Sequence, residues 1–199
     1  MNERKKTIVL AITGASGSIY GWDLLRKLQA APQVREVHLI LSPAGAAVMG
    51  MELDLDLLDE TVRRQYNLTK VRLFPADDFM APVASGSYPH DGMIIAPCSM
   101  STLASIAAGI TQNLIHRAAD VALKERRPLI LVPRETPLHR THIENMLRAS
   151  QTGAIVFPAM PSFYGRAETV AQLIDSVTCR VLAQLGFPLP PSLIWQGDT

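Results

Sequence analysis

Five segments carry residues that could do chemistry: Gly14-Ala15-Ser16-Gly17, Ser42, Pro97-Cys98-Ser99-Met100-Ser101-Thr102, Pro133-Arg134-Glu135-Thr136-Pro137, and residues 158–164 ending in Tyr164. All are small, hydroxylated or charged, and each follows an apolar run. The first can present backbone N–H groups and serine hydroxyls to a phosphate at a helix N-terminus. It lacks the G-x-G-x-x-G spacing, and the run before Ser42 ends without an acid to hold a ribose diol, which disfavours NAD. It also lacks the Gly-Lys-Ser/Thr ending of a P-loop, which disfavours an ATPase or GTPase. A monophosphate cofactor remains, and FMN suits such a site.

Several side chains carry two readings each. Cys98 is a nucleophile with a lowered pKa if it opens a helix, or a buried small residue; the latter is favoured because residues 99–105 lack the arginine of a phosphatase-type loop. Ser99, Ser101 and Thr102 either contact a ligand or cap a helix. Arg117, Asp120 and Lys124 lie three and seven positions apart along one helical face, so Arg117 and Lys124 form either an anion-binding stripe or a solvated surface. Arg126 and Arg127 read as a basic helix end offsetting the dipole. Glu135, beside Arg134, is a proton carrier or a member of a structural ion pair. His139 and His142 lack further ligands, so no metal is expected. Asp77-Asp78 likewise has no third aspartate to suggest a magnesium-held substrate.

The elements that must position these residues follow from periodicity. Apolar runs at 8–12, 37–41, 93–96, 129–132 and 154–157 read as strands, with 71–74 a weaker sixth. Segments 19–28, 57–66, 103–108, 114–124, 143–150 and 170–185 place apolar residues three and four apart, as helices do. Strands without polar alternation, separated by helices, predict a doubly wound α/β fold, a Rossmann- or flavodoxin-like three-layer sandwich with a parallel sheet. All five chemical segments then lie along one edge of that sheet, where open α/β folds bind ligands. Turn and cap requirements explain one or two such loops, but not Arg134, Glu135 and Tyr164 together.

Residues 1–185 read as one domain, and 186–199 as a proline-rich tail whose Trp195 packs on a neighbouring subunit. A net charge of +1 gives no footprint for nucleic acid. No apolar stretch is long enough to span a membrane. Cys98 and Cys179 lack paired spacing, which fits a reducing, cytoplasmic compartment. With 48% hydrophobic residues and 8 methionines, part of the apolar surface is expected to lie between subunits.

With these residues assembled, the chain resembles the flavin prenyltransferase (UbiX-like) family. The matching stretches are Thr13-Gly14-Ala15-Ser16-Gly17, Pro97-Cys98-Ser99, Arg117-Ala118-Ala119-Asp120-Val121, Leu123-Lys124-Glu125-Arg126-Arg127-Pro128-Leu129, Pro133-Arg134-Glu135-Thr136-Pro137-Leu138 and Phe163-Tyr164. The Lys-Glu-Arg-Arg-Pro and Arg-Glu-Thr-Pro blocks are the specific part. Residues 99–114 also resemble flavin-dependent cysteine decarboxylases. The resemblance implies that Gly14, Ala15, Ser16, Ser42, Ser99, Met100, Ser101, Thr102 and Arg134 hold FMN. Lys124, Tyr164 and Arg180 would hold the phosphate of dimethylallyl phosphate, with Arg117 and the Ser85-Gly86-Ser87 loop nearby. Glu135, Lys124 and Ser16 would form the catalytic set, joining a dimethylallyl group to N5 and C6 of reduced FMN without a metal. It further implies a dodecamer with sites at subunit contacts, and a product that serves a UbiD-like decarboxylase. Two other readings stand: a cysteine-type decarboxylase, which would want a histidine near the ligand loops, and a non-catalytic flavin carrier.

Overall fold

Among the described residues, six parallel strands form one sheet in the order β3-β2-β1-β4-β5-β6. They are β1 Lys6–Ile12, β2 Val34–Leu41, β3 Val71–Pro75, β4 Met93–Cys98, β5 Leu129–Pro133 and β6 Ile155–Val156. The computed structural model describes residues 4–195 and 197. The helices are α1 Ser18–Ala30, α2 Pro43–Leu53, α3 Glu60–Gln65, α4 Met100–Ala107, α5 Leu114–Lys124, α6 Arg140–Gln151 and α7 Val170–Ala183. The doubly wound sandwich is as expected, and the weak segment at 71–74 is a strand paired to β2.

Strands β4 and β5, and β1 from Ile8 onward, are apolar throughout because both sheet faces are covered. Ile8, Leu10 and Ile12 of β1, Ile94 of β4, and Ile130 and Val132 of β5 pack with Leu24, Leu25 and Leu28 of α1 and Val177 and Val181 of α7. The intervening Val9, Ala11, Met93, Ile95, Leu129 and Leu131 pack on the other face with Leu103 of α4, Ala118, Ala119 and Ala122 of α5, and Ala149 of α6. Each fully buried Leu or Ile contributes roughly 1.5–3 kcal/mol, so the two-sided core holds the strand ends in fixed register.

Three local expectations change. Helix α2 is absent from the periodicity reading because Pro43-Ala-Gly-Ala-Ala-Val-Met-Gly-Met has no polar face to define a period. Its signal is the cap: the Ser42 hydroxyl accepts from Gly45 N at 2.9 Å and Pro43 occupies the first turn. The helix expected at 57–66 is only α3 Glu60–Gln65, since Leu57 is fully buried ahead of the Asp59 cap. Cys98 does not open a helix; it ends β4 fully buried, and Ser99 is the cap of α4.

Candidate functional site

The strand order reverses between β1 and β4, and the loops leaving these two strands are bonded to each other. The Thr13 hydroxyl donates to the Pro97 carbonyl at 2.8 Å and accepts from the Ser99 amide at 2.8 Å. The β2 loop joins them through the Ser42 amide, which donates to the Ile12 carbonyl at 3.1 Å. The β5 loop joins through Arg134, whose Nε donates to the Ser16 carbonyl at 2.7 Å. Close approach requires the small residues: a Cβ on Gly14 would sit 2.6 Å from the Ala44 Cβ, and one on Gly45 2.5 Å from the Ile12 carbonyl oxygen. Gly14, Ala15, Ser16, Ser42, Ser99 and Arg134 are therefore brought together, at the crevice where doubly wound sheets bind ligands.

Met100, Ser101 and Thr102 form the first turn of α4. The Met100 side chain is buried in the core, so this residue meets the crevice only through its main chain. Ser99 both caps the helix, accepting from Thr102 N at 3.3 Å, and lies 3.1 Å from the Ser101 hydroxyl. Ser99 thus caps α4 at the crevice edge. Cys98 is inert here, its thiol pKa pushed up by burial.

Glu52, on α2, was not among the expected residues. Its carboxylate accepts from Gly17 N at 3.0 Å and Ser18 N at 2.8 Å, the first amides of α1. Partial burial pushes its pKa up, but hydrogen bonds from the Ser16 hydroxyl and these two amides outweigh that and hold it below the usual carboxylate range. An anionic oxygen already sits on the α1 N-terminus. The amides of Ala15 and Ser16 have no hydrogen-bond partner among the described residues. Together with the unused Nη donors of Arg134, these groups match a phosphate-bearing flavin: small residues for close approach, donors for the anion and one fixed cation.

Glu135 lies next to Arg134 on a cavity of about 330 Å³, lined also by Leu138, Met146 and Met160. Its carboxylate accepts from Thr136 N at 3.1 Å and forms no ion pair among the described residues, which removes the structural-pair reading within one chain.

Lys124 is elsewhere. It ends α5 just before β5 begins at Leu129, at the opposite edge of the sheet from the crevice, and its Nζ lies 2.5 Å from Glu125 Oε1. Gly86 sits against it: a Cβ there would be 2.4 Å from the Lys124 Nζ. The Ser85 and Ser87 hydroxyls lie 2.9 Å apart, and the Gly86 and Ser87 amides have no hydrogen-bond partner among the described residues. Arg117 is held between Asp120, at 2.8 Å, and the Ala84 carbonyl, at 2.9 Å, so it supports this loop and is no free stripe. Arg127 is likewise no simple solvated helix end: it donates to the Tyr88 and Gly86 carbonyls at 2.8 and 2.7 Å.

Tyr164 and Arg180 lie on the other face of the sheet. Arg180, in the last turn of α7, stands over the Phe157 ring at 5.7 Å. Tyr164 meets the Trp195 ring edge-on at 5.8 Å; Trp195 thus has a contact within its own chain while staying 65% exposed. The sheet separates these two residues from Lys124, so one chain does not assemble the expected phosphate triad.

No helix among the described residues is long and apolar enough to cross a membrane, and no group of three or more His, Cys, Asp or Glu among them is placed to hold a metal. The family model described as Flavoprotein matches residues 1–182. The flavin prenyltransferase UbiX of Pseudomonas aeruginosa is 48% identical over 189 residues, 91% of this chain and 90% of that protein. The crystal structure of AnUbiX (PadA1) in complex with FMN and dimethylallyl pyrophosphate matches with a TM-score of 0.88 at 40% identity, over 98% of this chain and 100% of that one. A dodecameric FMN-dependent UbiX-like decarboxylase from Escherichia coli O157:H7 matches with a TM-score of 0.87 at 41% identity, over 96% and 100%. The chain belongs to the flavoprotein family and, within it, to the UbiX-like flavin prenyltransferases.

Proposed function

We propose that this protein joins a dimethylallyl group to reduced FMN, in sites that are completed where copies of the chain meet. The observation that carries the reading is the crevice at the β1–β4 reversal, with its unpaired Ala15 and Ser16 amides, serine hydroxyls and Arg134 clasped to Ser16. Gly14, Ala15, Ser16, Ser42, Ser99, Met100, Ser101, Thr102 and Arg134 hold FMN in this reading. Reduced flavin supplies the nucleophilic ring positions, N5 and C6.

The protein's task is the leaving group. Breaking the allylic C–O bond puts negative charge on the departing phosphate, and fixed donors stabilise that charge without reorganising. Lys124 with the Ser85-Gly86-Ser87 loop forms one half of a phosphate site, and Tyr164 with Arg180 the other. Their separation by the sheet is why the halves come from different copies, and the dodecameric E. coli relative supports such an assembly. Glu135, without an ion partner, carries a proton between the phosphate and the flavin edge. Glu52 orients Ser16 in the catalytic set. The donor is dimethylallyl phosphate, and the prenylated product passes to a UbiD-like decarboxylase in the cytoplasm.

The test is anaerobic incubation of the protein with reduced FMN and dimethylallyl phosphate or diphosphate, followed by mass spectrometry of the flavin. One added isoprenyl unit is expected. Flavin returned unmodified with both donors would overturn the reading in favour of a non-catalytic carrier. Carbon dioxide released from a C-terminal cysteine peptide would indicate the cysteine-type decarboxylase.

A further inference from the structure

We infer that Arg127 is a positioning residue for prenyl transfer: it shapes the Ser85-Gly86-Ser87 loop into an anion cradle without touching the substrate. The inference rests on the proposed phosphate half-site around Lys124. Helix α5 ends with Arg126 in the left-handed region at φ 55°. Arg126 N donates to the Leu123 carbonyl at 3.0 Å and Arg127 N to the Ala122 carbonyl at 2.8 Å, the bonding of a Schellman turn with arginine where glycine is usual. Pro128 prevents the helix from continuing. This reversal turns the half-buried Arg127 side chain back beneath the loop.

The guanidinium holds two alternate carbonyls, those of Gly86 and Tyr88, and Arg117 holds a third, that of Ala84. A trans peptide is planar, so its carbonyl and its N–H point in opposite directions. Fixing the Gly86 carbonyl on Arg127 therefore turns the Ser87 N–H outward, away from the α5 terminus. Gly86 stays in contact with the Lys124 ammonium because it has no Cβ to obstruct it. The outcome is that the Lys124 ammonium, paired with Glu125 whose Oε1 also lies against Gly86, stands beside the outward Ser87 N–H and the Ser85 and Ser87 hydroxyls. A planar fork with several donors can hold two carbonyls at once in this way; an ammonium lacks that fixed geometry.

The rest of the loop is anchored independently. The Tyr88 hydroxyl lies 3.2 Å from His38 Nε2, and the Asp91 carboxylate accepts from Thr7 N at 2.7 Å. Loss of Arg127 should therefore loosen residues 85–87 without unfolding the domain.

The experiment compares wild type with Arg127→Met, which keeps most of the apolar stem, and Arg127→Lys. KM for dimethylallyl phosphate, FMN affinity, melting temperature and calorimetric binding of inorganic phosphate are measured for each. Arg127→Met is expected to raise KM and weaken inorganic phosphate roughly tenfold or more, as expected for loss of charged hydrogen bonds. FMN affinity should be unchanged, and Arg127→Lys should recover part of the loss. Unaltered KM and phosphate affinity in Arg127→Met would overturn the inference, as would equal losses of FMN and phosphate binding with a lowered melting temperature. A wild type that binds phosphate but does not prenylate flavin would instead refute the proposed function, leaving phosphate binding as the readout for Arg127.

Discussion

If Lys124 and Arg180 serve one phosphate from two different chains, damage to each should complement damage to the other. Singly, Lys124→Ala and Arg180→Ala each remove one charge-assisted contact, worth about 1.5–3 kcal/mol, or roughly ten- to a hundredfold in handling of dimethylallyl phosphate. FMN affinity should survive both, because the crevice lies at the other sheet edge from Lys124 and none of the residues proposed to hold FMN lies on α7. Co-expressed in equal amounts and mixed at random, the two variants leave about one quarter of sites with Lys124 from an intact chain and Arg180 from another. The assay is steady-state prenylation by assemblies carrying both variants, isolated through two different affinity tags and verified by native mass spectrometry. Activity near that quarter is expected. The double variant mixed with wild type gives a second reading: about one quarter of sites are intact if two chains contribute, but about one half if one chain supplies both residues. Mixed single variants no more active than either alone, with the double-variant mixture near one half, would refute the separation of Lys124 and Arg180 across the sheet.

Glu135→Gln should keep FMN bound and slow prenylation, since it removes the proton carrier with little change in volume; an unaltered pH–rate profile would refute the role. Glu52→Gln should lower kcat roughly tenfold, because the charged acceptor for the Ser16 hydroxyl and the Gly17 and Ser18 amides is lost; an unchanged kcat would remove Glu52 from the site. His90 is 4% exposed, and burial, aided by the Arg127 charge, lowers its pKa to about 4 against a smaller opposing hydrogen bond to the Gly92 backbone. Between its ordinary value and about pH 4 the unfolded chain binds a proton that the folded chain refuses, so this group destabilises the fold as pH falls through that window and has no effect above it. The full loss is at most about 3 kcal/mol. Denaturant titrations from pH 7.5 to pH 4.5 should show a shallower decline for His90→Gln than for wild type, and parallel declines would refute the shift.

Much of the ligand crevice was legible before the fold was known. In a parallel sheet every strand end points the same way, so residues following apolar runs are brought to one edge wherever the strands fall in order. That logic placed Gly14, Ser42, Ser99 and Arg134 together. It failed for α2, whose sequence has no polar face, and so it missed Glu52, which that helix carries. The spacing of Arg117, Asp120 and Lys124 predicts one helical face, yet spacing cannot say what faces it. Arg117 is held by Asp120 and the Ala84 carbonyl, while Lys124 pairs with Glu125 beside Gly86.

The sequence by itself determined the layer architecture, the buried strands and the chemical character of the loops, because these follow from periodicity and residue type within short windows. Only the tertiary structure decided which partners meet across long separations: Arg134 with Ser16, Arg127 with the 85–88 loop, and Lys124 apart from Arg180. Those pairings depend on strand order and on which sheet face each helix covers, and both are outcomes of burying two apolar faces at once. No window of sequence contains them, because the free energy that selects them is shared over the whole core.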